Sequence, residues 1–202
     1  MTLGAATGRY ELRFDTGRVC LDLLATAHPV ERLDSPAALR AWITGSGLVP
    51  RATQLPAADA SWLHGFRELR AQVGRLVHAW LGGDGRDPYG PALARVNDLA
   101  RPAPPVPRAV PAEDGTLVRE LAAPPECAAL LAAVARDAIA LLTDPDARTG
   151  LRQCAGDNCP VVYVDTSRGR RRRWCSSELC GNRERVARHR RRSALTSGVL
   201  PE

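Results

Sequence analysis

The chain has 202 residues and a net charge of +6, and all 28 of its basic residues are arginines. That length holds one domain with a real core plus a small module. No run of eighteen apolar residues occurs, and no basic start leads into an apolar run. The reading therefore excludes a membrane span and a secretory signal, and the expected location is cytoplasmic, where thiols stay reduced.

Tyr10, Leu12 and Phe14 alternate with other residue types and predict a short strand ended by Asp15-Thr16-Gly17. Cys20, Leu23, Leu24 and Ala27 then fit helical spacing. Asp22 and Thr26, four residues apart, share a face of that helix. They are the candidate ligand-binding pair, with capping or core hydrogen bonding as their other role. Asp34-Ser35-Pro36 reads as a helix start, with a capping side chain and proline in the first turn. Leu39, Trp42 and Ile43 form its apolar face. A long helix is expected from 58 to 81, striped by Trp62, Phe66, Leu69, Val73, Leu76, Val77 and Trp80. The glycine run after it lacks the strand and the Lys-Ser/Thr pair of a phosphate loop.

Asp87-Pro88 can start a further helix, with Leu93, Val96 and Leu99 inward. Residues 102–107 form a stiff proline-rich connector. A hairpin is expected around Glu113-Asp114-Gly115. A helix over 126–142 then buries Cys127, Leu130, Leu131, Val134, Ala138 and Leu141. Residues 143–150 read as turns and hold the domain boundary. His28, His64 and His78 are scattered, and no HExxH or GxSxG string occurs, so no enzyme is expected. Cys20 and Cys127 read as buried thiols.

The remaining four cysteines carry the chemistry. Cys154 and Cys159 form one pair and Cys175 and Cys180 another, each with four residues between its members and fifteen between the pairs. Two chelating loops of two thiolates each suit tetrahedral zinc, so the expected cofactor is Zn2+ held by Cys154, Cys159, Cys175 and Cys180. Val161 to Val164 has strand character, Asp165 to Gly169 is turn chemistry, and 170–174 is a candidate return strand. Ser176 or Ser177 caps a basic helix running to about Arg192. Knuckle, hairpin and a helix opening on the second pair make a treble-clef-like plan. Tyr163 and Trp174 either stack on bases or, in the plainer reading, pack around the metal loops.

Here the sequence resembles a known family. Trp174-Cys175-Ser176 with Cys180-Gly181-Asn182-Arg183 is similar to the CGNR zinc finger, and Asp165-Thr166-Ser167 with the arginines after it is similar to that family's middle segment. Leu21 to Thr26 and Asp34 to Trp42 resemble motifs of the ABATE domain, although Leu23 and Ala25 depart from its usual residues. The resemblance implies a bacterial, stress-induced transcription regulator with an N-terminal ABATE domain and a C-terminal zinc finger.

Charge is divided unevenly. Residues 151–193 hold twelve arginines and four acidic residues, and the rest of the chain is slightly acidic. Arg168, Arg170, Arg171, Arg172 and Arg173 make the hairpin basic. Arg185, Arg188 and Arg192 follow one line of the last helix; Arg183, Val186 and Arg190 follow another, with Val186 turned inward. Guanidinium groups grip phosphates, and a helix fits the major groove, so double-stranded DNA is the leading partner. The same module also suits a protein-interaction adaptor or an RNA-binding protein.

The expected fold class is mainly α with small β-hairpins. An ABATE-like helical domain (1–148) senses a small-molecule effector or forms a homodimer. A treble-clef-like zinc-finger domain with four cysteine ligands and a basic helix (149–202) follows.

Overall fold

The computed structural model describes residues 12–82 and 90–196, and about half of the protein is helical, with two small antiparallel hairpins. The predicted strand at 10–14 lies partly outside the described residues. Its described part, 12–14, has no regular structure.

Helix α1 (Val19–Ala25) is short and has no side-chain cap of its own. A carboxylate from another helix satisfies its first turn: Cys20 N donates to Asp137 at 2.9 Å, and Asp137 also pairs with Arg18 at 2.8 Å. An anion at a helix N-terminus is favoured by the exposed N–H groups and by the helix dipole. Helix α2 (Pro36–Gly45) starts as the sequence suggests, with Ser35 Oγ accepting from Ala38 N at 3.2 Å. Asp59 accepts from Ser61 N and Trp62 N as α3 (Ala60–Gly82) begins. The α3 stripe is buried from Trp62 to Val77, and Trp42 meets Phe66 edge to face at 5.7 Å. Trp80 is only partly buried and lies under the Arg148 guanidinium.

Helix α4 spans Gly90–Leu99, and the expected start at Asp87-Pro88 lies outside the described residues. Ala92 and Val96 are buried, with Leu99 packed beside them, whereas Leu93 is exposed. The inward stripe runs i, i+4, i+7 from Ala92, which turns Leu93 about 100° away. Strands β1 (Pro107–Pro111) and β2 (Leu117–Leu121) form an antiparallel hairpin, almost wholly exposed. Helix α5 (Cys127–Thr143) runs through the core and buries seven apolar residues. Cys127 at its start is half-buried rather than buried, because it sits in the first turn at the rim. The segment read as turns contains a helix, α6 (Pro145–Thr149), capped by Asp144 accepting from Asp146 N at 2.9 Å.

Strands β3 (Leu151–Gln153) and β4 (Val162–Val164) pair antiparallel. This corrects the expected return strand: β4 pairs with the residues before Cys154, not with 170–174. The backbone of that segment is engaged elsewhere. Arg172 N donates to Asp165 at 2.9 Å, Tyr163 Oη donates to Arg172 O, and Ala155 N donates to Arg173 O.

Strand β4 joins two cores through its period of two. Val162 and Val164 face the main core with Leu151, while Tyr163 faces a second cluster made of Ala25, Val161 and the cysteines. Val164 N donates to Thr16 O at 2.8 Å, so the chain before α1 lies along β4. A π-helical turn (Ser177–Gly181) leads into α7 (Asn182–Thr196).

Candidate metal centre

Cys154, Cys159, Cys175 and Cys180 bring their sulfur atoms within 4.8 Å of one another. Cys159 Sγ lies 3.7 Å from Cys175 Sγ, and Cys175 Sγ lies 3.6 Å from Cys180 Sγ. Four sulfurs at about 2.3 Å from a tetrahedral zinc are about 3.8 Å apart, so the donor set and its spacing fit Zn2+. Among the described residues no other group of three or more His, Cys, Asp or Glu side chains converges in this way.

The two loops have different builds. The first pair sits in the turn of the β3–β4 hairpin, closed by Cys154 N donating to Val161 O at 2.9 Å. Asn158 takes a left-handed conformation, φ 57°, to bring Cys159 back. Gly156 permits the close approach of the second loop: a Cβ there would stand 3.3 Å from Cys180 Cβ. The second pair bridges the start of the π turn. Gly181 N donates to Ser176 O at 3.0 Å, and Ser176 Oγ caps the turn by accepting from Leu179 N. An i→i+5 turn is how four intervening residues bring two thiols onto one ion, where common knuckles use two.

N–H donors surround the sulfurs. Gly156 N and Cys175 N point at Cys154 Sγ at 3.4 and 3.2 Å. Arg13 Nη1 donates to Cys175 Sγ at 3.0 Å, and Arg13 Nη2 donates to the Cys175 carbonyl. Without a cation the four thiols cannot all ionise. The Cys175 thiol is drawn down to about 5, chiefly by the hydrogen bond from Cys159 and then by Arg13. Cys180 is pushed up to about 12 by burial and by the Cys175 charge, and Cys159 is raised by its bond to Cys175. A divalent cation removes that conflict by stabilising every thiolate it binds. A closed set of four thiolates leaves no open coordination position, which makes such a metal structural.

Aromatic residues complete the centre. Tyr163 is fully buried, its hydroxyl donates to Arg172 O at 2.6 Å, and the Arg172 guanidinium lies 4.4 Å over its ring. Trp174 packs against the cysteine cluster, with Arg173 at 5.4 Å from its ring.

The sequence-derived arginines fall into three groups. Arg172 turns inward, giving Nε to Trp174 O and Nη2 to Cys175 O. Arg170 and Arg185 are exposed but engaged: Arg170 donates to Thr149, and Arg185 donates to Asn182 Oδ1 at 2.6 Å beside the turn. Arg168, Arg171, Arg173, Arg183, Arg188 and Arg192 are exposed. Val186, expected to face inward, is half exposed, because α7 packs chiefly on the turn that precedes it and has no fully buried residue among those whose side chains are described.

Asp22 and Thr26 are both buried and hydrogen-bonded within the fold. Asp22 accepts from Thr16 N and Thr16 Oγ1, while Thr26 donates to Leu23 O and accepts from Arg70. Arg13 was missed by sequence reasoning, since nothing local marks a partner 162 residues away.

Among the described residues no helix is long and apolar enough to cross a membrane. No curated protein matches the chain. Two family models do: ABATE, described as "Putative stress-induced transcription regulator", over residues 17–145, and the CGNR zinc finger over residues 151–193. The ABATE match spans more than half of the sequence, and the four clustered thiols are those a zinc finger needs; the chain belongs to the ABATE family and carries a CGNR zinc finger.

Proposed function

We propose that the protein is a DNA-binding transcription regulator in which Cys154, Cys159, Cys175 and Cys180 hold one structural Zn2+ and α7 is the DNA-facing element. The N-terminal domain, 1–148, then senses an effector or dimerises, and the finger, 149–202, reads DNA. The observation that carries this reading is the state of α7. It continues from the cysteine-bearing turn for fifteen residues, about 22 Å of helix, with no buried residue among those whose side chains are described. A helix polar all round gains little from its own fold. Six arginines at like-charged spacing favour an acidic surface that neutralises them.

In this mechanism the metal supplies rigidity rather than reactivity. The thiolates fix the π turn, the turn fixes the direction of α7, and Arg185 braces the joint through Asn182 and Ser177 O. Arg183, Arg188 and Arg190 are exposed, with no hydrogen bond or ion pair among the described residues, and are available to phosphates. Leu179 and Val186, seven residues apart and both half exposed, favour a second reading in which the same face meets a partner protein.

The test is titration of the zinc-loaded chain with duplex DNA across a salt series. Changing Arg183, Arg188 and Arg190 together to Ala should flatten the logarithmic salt slope by about 0.9 for each phosphate no longer neutralised. An unchanged affinity and slope in a folded, zinc-loaded variant would move the assignment to the protein partner.

A further inference from the structure

A cleft of about 600 Å³ opens between α2 and the segment 51–55, lined in part by Phe14, Arg40, Thr44, Arg51, Thr53 and Gln54. No acidic residue lines it. Arg51 has no hydrogen bond or ion pair among the described residues, and Arg40 gives one N–H to Ala58 O at 2.8 Å, leaving further donors. The Phe14 ring, Ala41 and Leu55 add apolar surface to the lining. Two guanidinium groups and an aromatic ring lining one cleft suit a ligand with an anionic head and a flat apolar body.

The place of the Phe14 ring is set by a missing side chain. A Cβ on Gly45 would stand 2.4 Å from Phe14 Cζ, so the ring rests directly on the end of α2. The residue before Phe14 is Arg13, whose guanidinium holds the sulfur and the carbonyl of Cys175. The residue after it is Asp15, which grips that same guanidinium through two hydrogen bonds of 2.9 and 3.0 Å. Three consecutive residues thus join the cleft wall to the metal centre. A ligand that moves Phe14 acts one peptide away from the donor on Cys175.

We propose that this cleft binds a small organic anion with an apolar body, carboxylate or phosphate, and that its occupancy is transmitted to the metal centre through Phe14 and Arg13. This deepens the sensing part of the regulator reading and rests on it for biological meaning, though not for the binding itself. Coupling of this kind is reciprocal: a ligand that alters the hold on zinc is itself bound differently when zinc is removed.

The experiment uses the zinc-loaded full chain without DNA, so its failure leaves the nucleic-acid reading intact. Calorimetric titrations compare naphthalene-1-carboxylate, 1-naphthyl phosphate and the neutral naphthalene-1-carboxamide. The expected result is saturable one-to-one binding of at least one anion, tenfold or more tighter than the carboxamide, and tenfold weaker in Arg51→Gln; the tighter anion identifies the head group. Equal binding of anion and carboxamide, or an unchanged affinity in Arg51→Gln, overturns the site. The second readout is the rate of zinc transfer to a chromophoric chelator. A saturating anion should change that rate at least threefold in the wild type and not in Arg13→Gln. An unchanged wild-type rate at saturation, or an equal change in Arg13→Gln, overturns the coupling.

Discussion

Replacing Tyr163 by Phe removes one oxygen from the floor of the metal centre and leaves everything else in place. The ring is fully buried and stays beneath the Arg172 guanidinium, while the Arg172 carbonyl loses its donor at 2.6 Å. Burial pushes the phenol up to about 12, so the hydroxyl remains a donor across the working pH range. Losing a neutral hydrogen bond and stranding its acceptor costs about 1–2 kcal/mol. For a chain of this size each kcal/mol shifts Tm by about 2–4 °C. The zinc-loaded variant should therefore melt about 2–8 °C below the wild type in a calorimetric scan, with duplex affinity below Tm unchanged. If Tyr163 instead stacked on bases, the same change would leave Tm alone. A Tm within 1 °C of the wild type would refute the packing argument.

Asp137→Ala should lower stability by about 2–3 kcal/mol, because it strips the cap from α1 and leaves the half-buried Arg18 without its carboxylate; the urea midpoint measures this, and a loss under 0.5 kcal/mol would contradict the role assigned to Asp137. Asp22 is raised by burial to about 6, against two hydrogen bonds from Thr16 that pull it down. A carboxyl held above its unfolded value contributes stability that is complete below about pH 4 and is lost as pH rises through about 6. Asp22→Asn should therefore gain on the wild type as pH rises from 5 to 7.5 in thermal melts, and a constant difference would contradict it.

The features legible in the sequence were those with local signals. The Ser35-Pro36 start, the long stripe of α3 and the paired cysteines each follow from spacing that a single element must satisfy. Features decided by distant parts of the chain were misread. Residues 170–174 look extended and basic, yet their backbone groups go to Asp165, Tyr163 and Ala155, so β4 takes Leu151–Gln153 as its partner. Val186 is apolar on a helix with no fully buried residue among those whose side chains are described. Helix α6 was readable in principle, since Asp144-Pro145 is a capping pair, but five residues are too few for a periodic pattern. Arg13 had no signal at all, because only the folded chain brings it to Cys175.

The central claim is that zinc on four thiolates organises the helix that meets DNA. Zinc content and duplex-DNA affinity should be measured on the same samples: as purified, after chelation, after reloading, and in Cys175→Ser. The account predicts one zinc per chain, with metal and affinity lost together on chelation, restored together on reloading, and both impaired in the variant. Full duplex affinity in the metal-free chain, or full zinc retention in Cys175→Ser, would contradict it.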